Sequence, residues 1–413
     1  MKPDWKNKNN LRLLVDEIIS NFSLTEDGRV SHAIGVELVL DALFHKVRHD
    51  FKLSPDVLFD VFSLAIKNEF SKDVKLKNPN LILSNFQDLC YKKLKTRNKY
   101  FLVTTISLNS SSILKRRSIN GCNICFYKHL PVKYKKWRDK QIEKHTGDDV
   151  QSDGKVMYAV VSTEEPDVLT AVKSALDSLD IVRALIELDI KDGGNFLASD
   201  KEHIYPSIST VRLGEYHTLH NQTGKLATST FWFERNFKKE SSLKIRNFHL
   251  VDKNLTSRLN NIKACKFEAH IYSSLLSFIE AIDTKETISR FLKLWTSAEK
   301  LFNEANNSKE LIKRMSFQYT DKAIVTEILS SMRDTRNINV HASVKPLNLE
   351  LKTTHLRSII KSNLSLVIRN GSDFNSLDKF TKFLSLPVSL RDIDDQLELL
   401  QKRKKRMKDF PLE

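Results

Sequence analysis

Between residues 255 and 370 apolar side chains recur at three- and four-residue intervals, and this periodicity limits the region to packed helices. Leu259, Ile262, Phe267, Ile271, Leu275, Phe278 and Ile282 trace one long helix. Ile288, Phe291, Leu292, Trp295, Ala298, Leu301 and Phe302 trace a second, and Ile324, Val325, Ile328, Leu329 and Met332 a third. A fourth runs through Leu356, Ile359, Ile360, Leu364, Val367 and Ile368 to Asn370-Gly371, a C-cap signal. Two shorter helices are expected around 376–385 and 391–407.

The remainder divides by pattern. Residues 11–98 carry helical stripes: Leu11, Leu14, Val15, Ile18 and Ile19; then Ile34, Val36, Leu38, Val39, Leu40, Leu43 and Phe44; then Val57, Leu58, Val61, Phe62 and Ala65; then Ile82, Phe86, Leu89 and Cys90. Ser54-Pro55-Asp56 reads as a helix start with Pro in the first turn. From residue 99 the period changes. Tyr100–Ile106, Asn123–Tyr127, Val156–Val161 and Ser229–Phe233 read as strands, Pro166–Leu179 as a helix, and Ile181–Leu188 as either. The expected fold is therefore α+β overall. Residues 1–98 form a helical N-terminal region, 99–250 a mixed α/β region, and 255–413 an all-α bundle. Ten Gly and nine Pro in 413 residues agree with long helices rather than a turn-rich β fold. Internal repeats are not evident. Gly147–Gly154 reads as a loop, and Asp192-Gly193-Gly194-Asn195 lacks the spacing of a phosphate-binding loop.

The net charge of +16 favours a polyanionic partner, because Lys and Arg displace counterions condensed on phosphates. A lysine-rich surface with no such partner is the plainer explanation. Basic residues cluster between 90 and 140 and again in Lys402–Arg406. Cys122 and Cys125 form a CxxC without a second CxxC or paired His at zinc spacing, so buried thiols are expected and no metal or other cofactor. With no signal peptide and no long apolar run, the expectation is a soluble cytoplasmic protein with no membrane partner.

One string carries chemistry: Arg336-Asn337-Ile338-Asn339-Val340-His341, after the stripe of the third helix. Arg followed shortly by His also occurs at Arg138–His145 and Arg212–His217. Arg138–His145 lies in a charged stretch and reads as solvated, and Arg212–His217 reads as strand and turn. Only Arg336–His341 sits between two strongly periodic helices. On an unbroken helix Asn337 and His341 share a face, while Arg336 lies about 140° from His341. A bent helix, or a second chain, would have to bring Arg336 and His341 to one phosphate.

At such a phosphate the two side chains have complementary roles. A neutral imidazole can take the proton of a ribose 2′-hydroxyl or return one to the leaving 5′-oxygen. A guanidinium can grip the scissile phosphate and stabilise its developing charge. Asn337 supplies an amide to orient either. No metal is required, and the products would be a 2′,3′-cyclic phosphate and a 5′-hydroxyl. The bland alternative is that Arg336 and His341 cap exposed carbonyls at a helix end.

Residues 255–370 resemble a HEPN domain, and within that superfamily the Apea-like group. The resemblance is carried by the long first helix, by Phe291–Phe302 with its Trp295 and Glu299, by Arg336-Asn337 to His341 followed by the small Ala342, and by the closing helix. It implies a metal-independent endoribonuclease active as a homodimer through this domain, with two Arg–His motifs facing one another. Arg336 and His341 would be the catalytic pair, Asn337 the polar residue beside the Arg, and Glu299 the acidic residue that orients the Arg. Read without the resemblance, Glu299 is a solvated carboxylate with no cation three or four residues away in its own helix. Similar proteins act in bacterial defence against phage, so the further expectations are RNA of the tRNA or ribosomal class as substrate and abortive infection as outcome. Residues 1–250 would then be a sensing or regulatory region answering a phage-derived trigger. The alternative is a non-catalytic HEPN-like module that binds nucleic acid or dimerises.

Overall fold

A computed structural model describes the chain outside residues 1, 26–29, 34, 73–77, 111–113, 147–155, 191–207, 235–236, 238–241, 246, 343–346, 388 and 410–413. The loop expected at 147–154 and the Asp192–Asn195 string lie outside the described residues. The fold is mixed α+β, 61% helical, with one six-stranded sheet. It forms two compact units: residues 1–105, 115–178 and 216–233 make one, and 106–114, 179–215 and 234–413 make the other.

The first unit holds helices α1 (Leu11–Ser20), α2 (Val36–Phe44), α3 (Pro55–Lys72) and α4 (Asn80–Lys95). Their stripes meet in a phenylalanine-rich core where Phe62, Phe70 and Phe86 are almost fully buried and Phe44 packs against both Phe62 and Phe86. Two short antiparallel pairs were not legible among these helices. They are β1 (Asp4–Trp5) with β4 (Val47–Arg48), and β2 (Phe22–Leu24) with β3 (Val30–His32). Runs of two or three residues are too short to show a period of two.

The sheet comprises β5 (Asn98–Asn109), β6 (Arg117–Ile119), β7 (Cys122–Tyr127), β8 (Val156–Glu165), β9 (Tyr216–His220) and β10 (Trp232–Phe233), in the order β10-β9-β5-β8-β7-β6. β9 pairs antiparallel with β5, Phe101 opposite His220 and Val103 opposite Thr218. The strand expected at 229–233 is reduced to Trp232–Phe233. Ile181–Leu188 resolves as helix, because α6 runs from Val168 to Glu187. Helix α5 (Val132–Thr146) buries Tyr134, Arg138 and Ile142, and begins where Gly224 passes under it. Gly224 has φ +88°, and a Cβ there would lie 2.4 Å from the carbonyl oxygen of Lys133, so no larger residue fits.

In the second unit the described residues from 248 onward are built from helices: α7 (Phe248–Ala264), α8 (Glu268–Asp283), α9 (Thr287–Leu301), α10 (Ser308–Met315), α11 (Lys322–Ala342), α12 (Leu349–Asn370), α13 (Leu377–Leu384) and α14 (Leu390–Asp409). The single long helix expected over 259–282 is two. The break falls at Cys265, whose backbone is extended, and Phe267 then packs on Phe380. Gly371 is also not the left-handed cap its sequence suggests, since its φ is −63°. Its lack of a side chain serves close approach instead: a Cβ would meet Phe267 at 3.1 Å and Cys265 at 3.2 Å. The core lies between α8, α9 and α12, where Phe278, Phe291, Trp295 and Leu364 are buried.

Buried and half-buried ion pairs tie this bundle to residues 179–215. Arg183 joins Asp180 and Asp283, Arg258 joins Asp189, and Arg357 joins Glu187 at 2.8 Å. Glu187 also accepts the backbone N–H groups of Thr210 and Val211. Among the described residues no helix is long and apolar enough to cross a membrane.

Candidate functional site

Helix α9 is set at both ends by its own sequence. Glu286 caps its start, accepting the backbone N–H groups of Ile288 and Ser289. Its last turn closes through Asn303 at φ 50°, with Asn303 N–H donating to the Lys300 carbonyl and Glu304 N–H to the Glu299 carbonyl. This double closure is the Schellman arrangement, and Asn is one of the few residues that accepts the left-handed position. Between the caps, Phe291, Leu294, Trp295, Ala298 and Leu301 fill the core and hold Glu299 at its edge.

Helix α11 buries Leu329, Met332 and Thr335 on one side. Arg336 follows Leu329 by seven residues and Met332 by four, so it continues that inward face. Its guanidinium thereby approaches α9. Arg336 Nη2 lies 3.7 Å from Glu299 Oε1, and Arg336 Nη1 donates to Asn337 Oδ1 at 3.3 Å. The same Glu299 oxygen accepts the indole N–H of Trp295 at 3.0 Å.

Glu299 is therefore not the solvated carboxylate that its helical neighbours alone suggest. Its side chain is 13% exposed, against 38% for Arg336. Burial raises its pKa above the ordinary glutamate range, while Arg336 and the Trp295 hydrogen bond pull it down. Its cation comes from another helix, which a search at three and four residues along α9 could not find. Two further contacts had no sequence signal beyond residue type. Trp295 acts as a hydrogen-bond donor as well as a core residue, and Lys352 Nζ on α12 donates to Thr335 Oγ1 at 2.7 Å, one residue before Arg336.

The structure thus brings Glu299, Arg336 and Asn337 together. His341 belongs to α11, four residues beyond Asn337, but its side chain lies outside the described residues.

The two other Arg–His strings serve the sheet. Arg138 is not solvated as expected: it is 5% exposed and donates to the carbonyls of Val103 and Tyr216 and to Thr218 Oγ1. Burial lowers its pKa to about 10. His145 stacks on Phe231 with 4.7 Å between ring centroids, and His217, on β9, meets Thr104 Oγ1 at 2.8 Å.

Cys122 and Cys125 are three residues apart on β7, so their side chains leave opposite faces of the strand and cannot chelate one ion. The Cys122 thiol is pushed up by burial. Among the described residues no group of three or more His, Cys, Asp or Glu is gathered as a metal site would need.

Chemically, the site presents a fixed guanidinium. It is held on one side by a half-buried carboxylate and on the other by an amide, and its head is partly open to solvent. A guanidinium has five N–H donors, so those not turned toward Glu299 and Asn337 can meet an oxyanion. Comparison of the chain with family models, with curated proteins and with solved structures gave no match.

Proposed function

We propose that residues 255–413 form a metal-independent endoribonuclease of the HEPN type. The observation that carries this reading is the setting of Arg336: a half-open guanidinium held toward Glu299, which Trp295 itself fixes. A merely solvated arginine has no need of a half-buried carboxylate behind it.

In this reading Arg336 binds the scissile phosphate and stabilises charge on its non-bridging oxygens. His341 takes the 2′-hydroxyl proton as that oxygen attacks phosphorus, and a proton returns to the departing 5′-oxygen. Asn337 orients the guanidinium through Oδ1, and Glu299 is a positioning residue for Arg336. The substrate is RNA of the tRNA or ribosomal class, and the consequence is growth arrest as an abortive-infection response, with residues 1–250 regulating it in the cytoplasm. A second copy of the domain completes the site. Ile324 and Ile328, 62% and 40% exposed on the helix that carries Arg336, offer apolar surface for it.

The test is cleavage of purified tRNA and ribosomal RNA in chelator by the wild type, Arg336→Ala and His341→Ala, with the ends of the products mapped. The net charge of +16 favours one competitor, a module that binds nucleic acid without cutting it. Salt-dependent RNA binding that persists in His341→Ala, with no cleavage by any form, would establish that competitor instead.

A further inference from the structure

The C-terminal helix α14 stands apart from the proposed site. It is 20 residues long and exposed along nearly its whole length, with Ser389 Oγ accepting the Asp392 N–H at its start. Leu390 is 78% exposed, Leu397 49%, Leu400 64% and Met407 50%. An amphipathic helix with its apolar seam in water gains nothing from tertiary packing, which is where most helical stability originates.

The seam is regular. Leu390, Ile393, Leu397, Leu400, Lys404 and Met407 follow one another at alternating steps of three and four, the a and d positions of a two-stranded coiled coil. Charge along the helix is split between its halves. Asp392, Asp394, Asp395 and Glu398 lie in the first, and Lys402, Arg403, Lys404, Lys405 and Arg406 in the second.

We propose that α14 pairs with α14 of a second copy of this chain, antiparallel, about a two-fold axis between residues 398 and 399. Antiparallel pairing sets each acidic half on a basic half, whereas parallel pairing sets like on like. The seam also reads the same from both ends under that symmetry. Leu390 faces Met407 of the second copy, Leu397 faces Leu400, and Ile393 faces Lys404. A lysine in an apolar seam costs stability but fixes register. Its stem can lie along Ile393 while its ammonium reaches the acidic half of the other helix. Arg391 opposite Arg406 is the one directly opposed like-charge match, and both residues lie outside the seam.

The test is oxidative cross-linking of the full chain carrying Ile393→Cys together with Lys404→Cys, at high protein concentration because fewer than three heptads pair weakly. The positions are exposed or half-buried on a helix outside the core, so the substitutions leave the fold intact. Within one helix the two sites are about 16 Å apart, too far for an internal bridge. The expected result is a reducible dimer band for the double variant at least tenfold stronger than for either single variant or the wild type. The wild type, whose Cys90, Cys122 and Cys265 are buried and whose Cys125 is half-buried, serves as the blank against which any background bridge is subtracted. The proposal is overturned if Ile393→Cys alone cross-links as well as the double variant, which means parallel pairing. It is equally overturned if the double variant stays uncrosslinked; loss of RNA retention in Lys405→Glu with Arg406→Glu would then make the helix a polyanion contact.

Discussion

Arg336 of α11 and Trp295 of α9 converge on one oxygen of Glu299, at 3.7 Å and 3.0 Å. Glu299 is half-buried at a cost, since desolvation is the largest influence on its carboxyl group and raises its pKa. The folded protein therefore holds the Glu299 proton more tightly than the unfolded chain does. The contribution of this group to stability is present at low pH and lost as pH rises from the ordinary glutamate range through the raised folded value.

Glu299→Gln should consequently separate stability from activity. The amide can still accept from Trp295 but no longer carries the charge that attracts Arg336. At pH 7.5 the variant should melt no lower than the wild type, and the difference between them should vanish as pH falls below the glutamate range. RNA cleavage should fall by about tenfold or more, roughly 1.4 kcal/mol of transition-state stabilisation. Thermal melts across pH beside initial cleavage rates check both halves.

Arg357 and Glu187 form a pair in which the carboxylate is fully buried and the guanidinium nearly so. Arg357→Ala removes the cation bonded to Glu187, which then keeps only the N–H groups of Thr210 and Val211. The cost should be about 3 to 5 kcal/mol, and Glu187→Gln in the same chain should restore part of it. Urea unfolding of the two single variants and the double variant measures this, with a coupling energy well above 1 kcal/mol expected.

His220 is buried between the Gly224 carbonyl on Nδ1 and Thr218 Oγ1 on Nε2, each at 2.9 Å. This places the ring proton on Nδ1, facing the carbonyl. Burial lowers its pKa to about 4, with Arg138 lowering it further and the Gly224 carbonyl opposing. Because the unfolded chain takes up this proton first, stability should be lost as pH falls from about 6.5 to about 4, by on the order of 3 kcal/mol. In His220→Gln that part of the pH dependence should disappear, as denaturant titrations at stepped pH would show.

How much of this the sequence disclosed depended on distance along the chain. The stripes of α9 and α12 placed their helices within a few residues, because amphipathic periodicity is local. The break between α7 and α8 was not legible, since it depends on Cys265 and Phe267 fitting against Gly371, far along the chain. Arg138 read as solvated because Lys135, Lys136, Asp139 and Lys140 surround it in sequence, while its acceptors Val103, Tyr216 and Thr218 come from strands far along the chain. Glu299 is the same case in the candidate site. Its own helix offers no cation three or four residues away, and the packing of α11 on α9 supplies Arg336.

The most direct measurement is the cleavage of purified RNA in chelator by the wild type, Arg336→Ala and His341→Ala, with all three shown to melt alike. The account expects the wild type to leave 2′,3′-cyclic phosphate and 5′-hydroxyl ends, and both variants to lose cleavage by about 100-fold or more. Cleavage by either variant at the wild-type rate, or products ending in 3′-hydroxyl and 5′-phosphate, would contradict it.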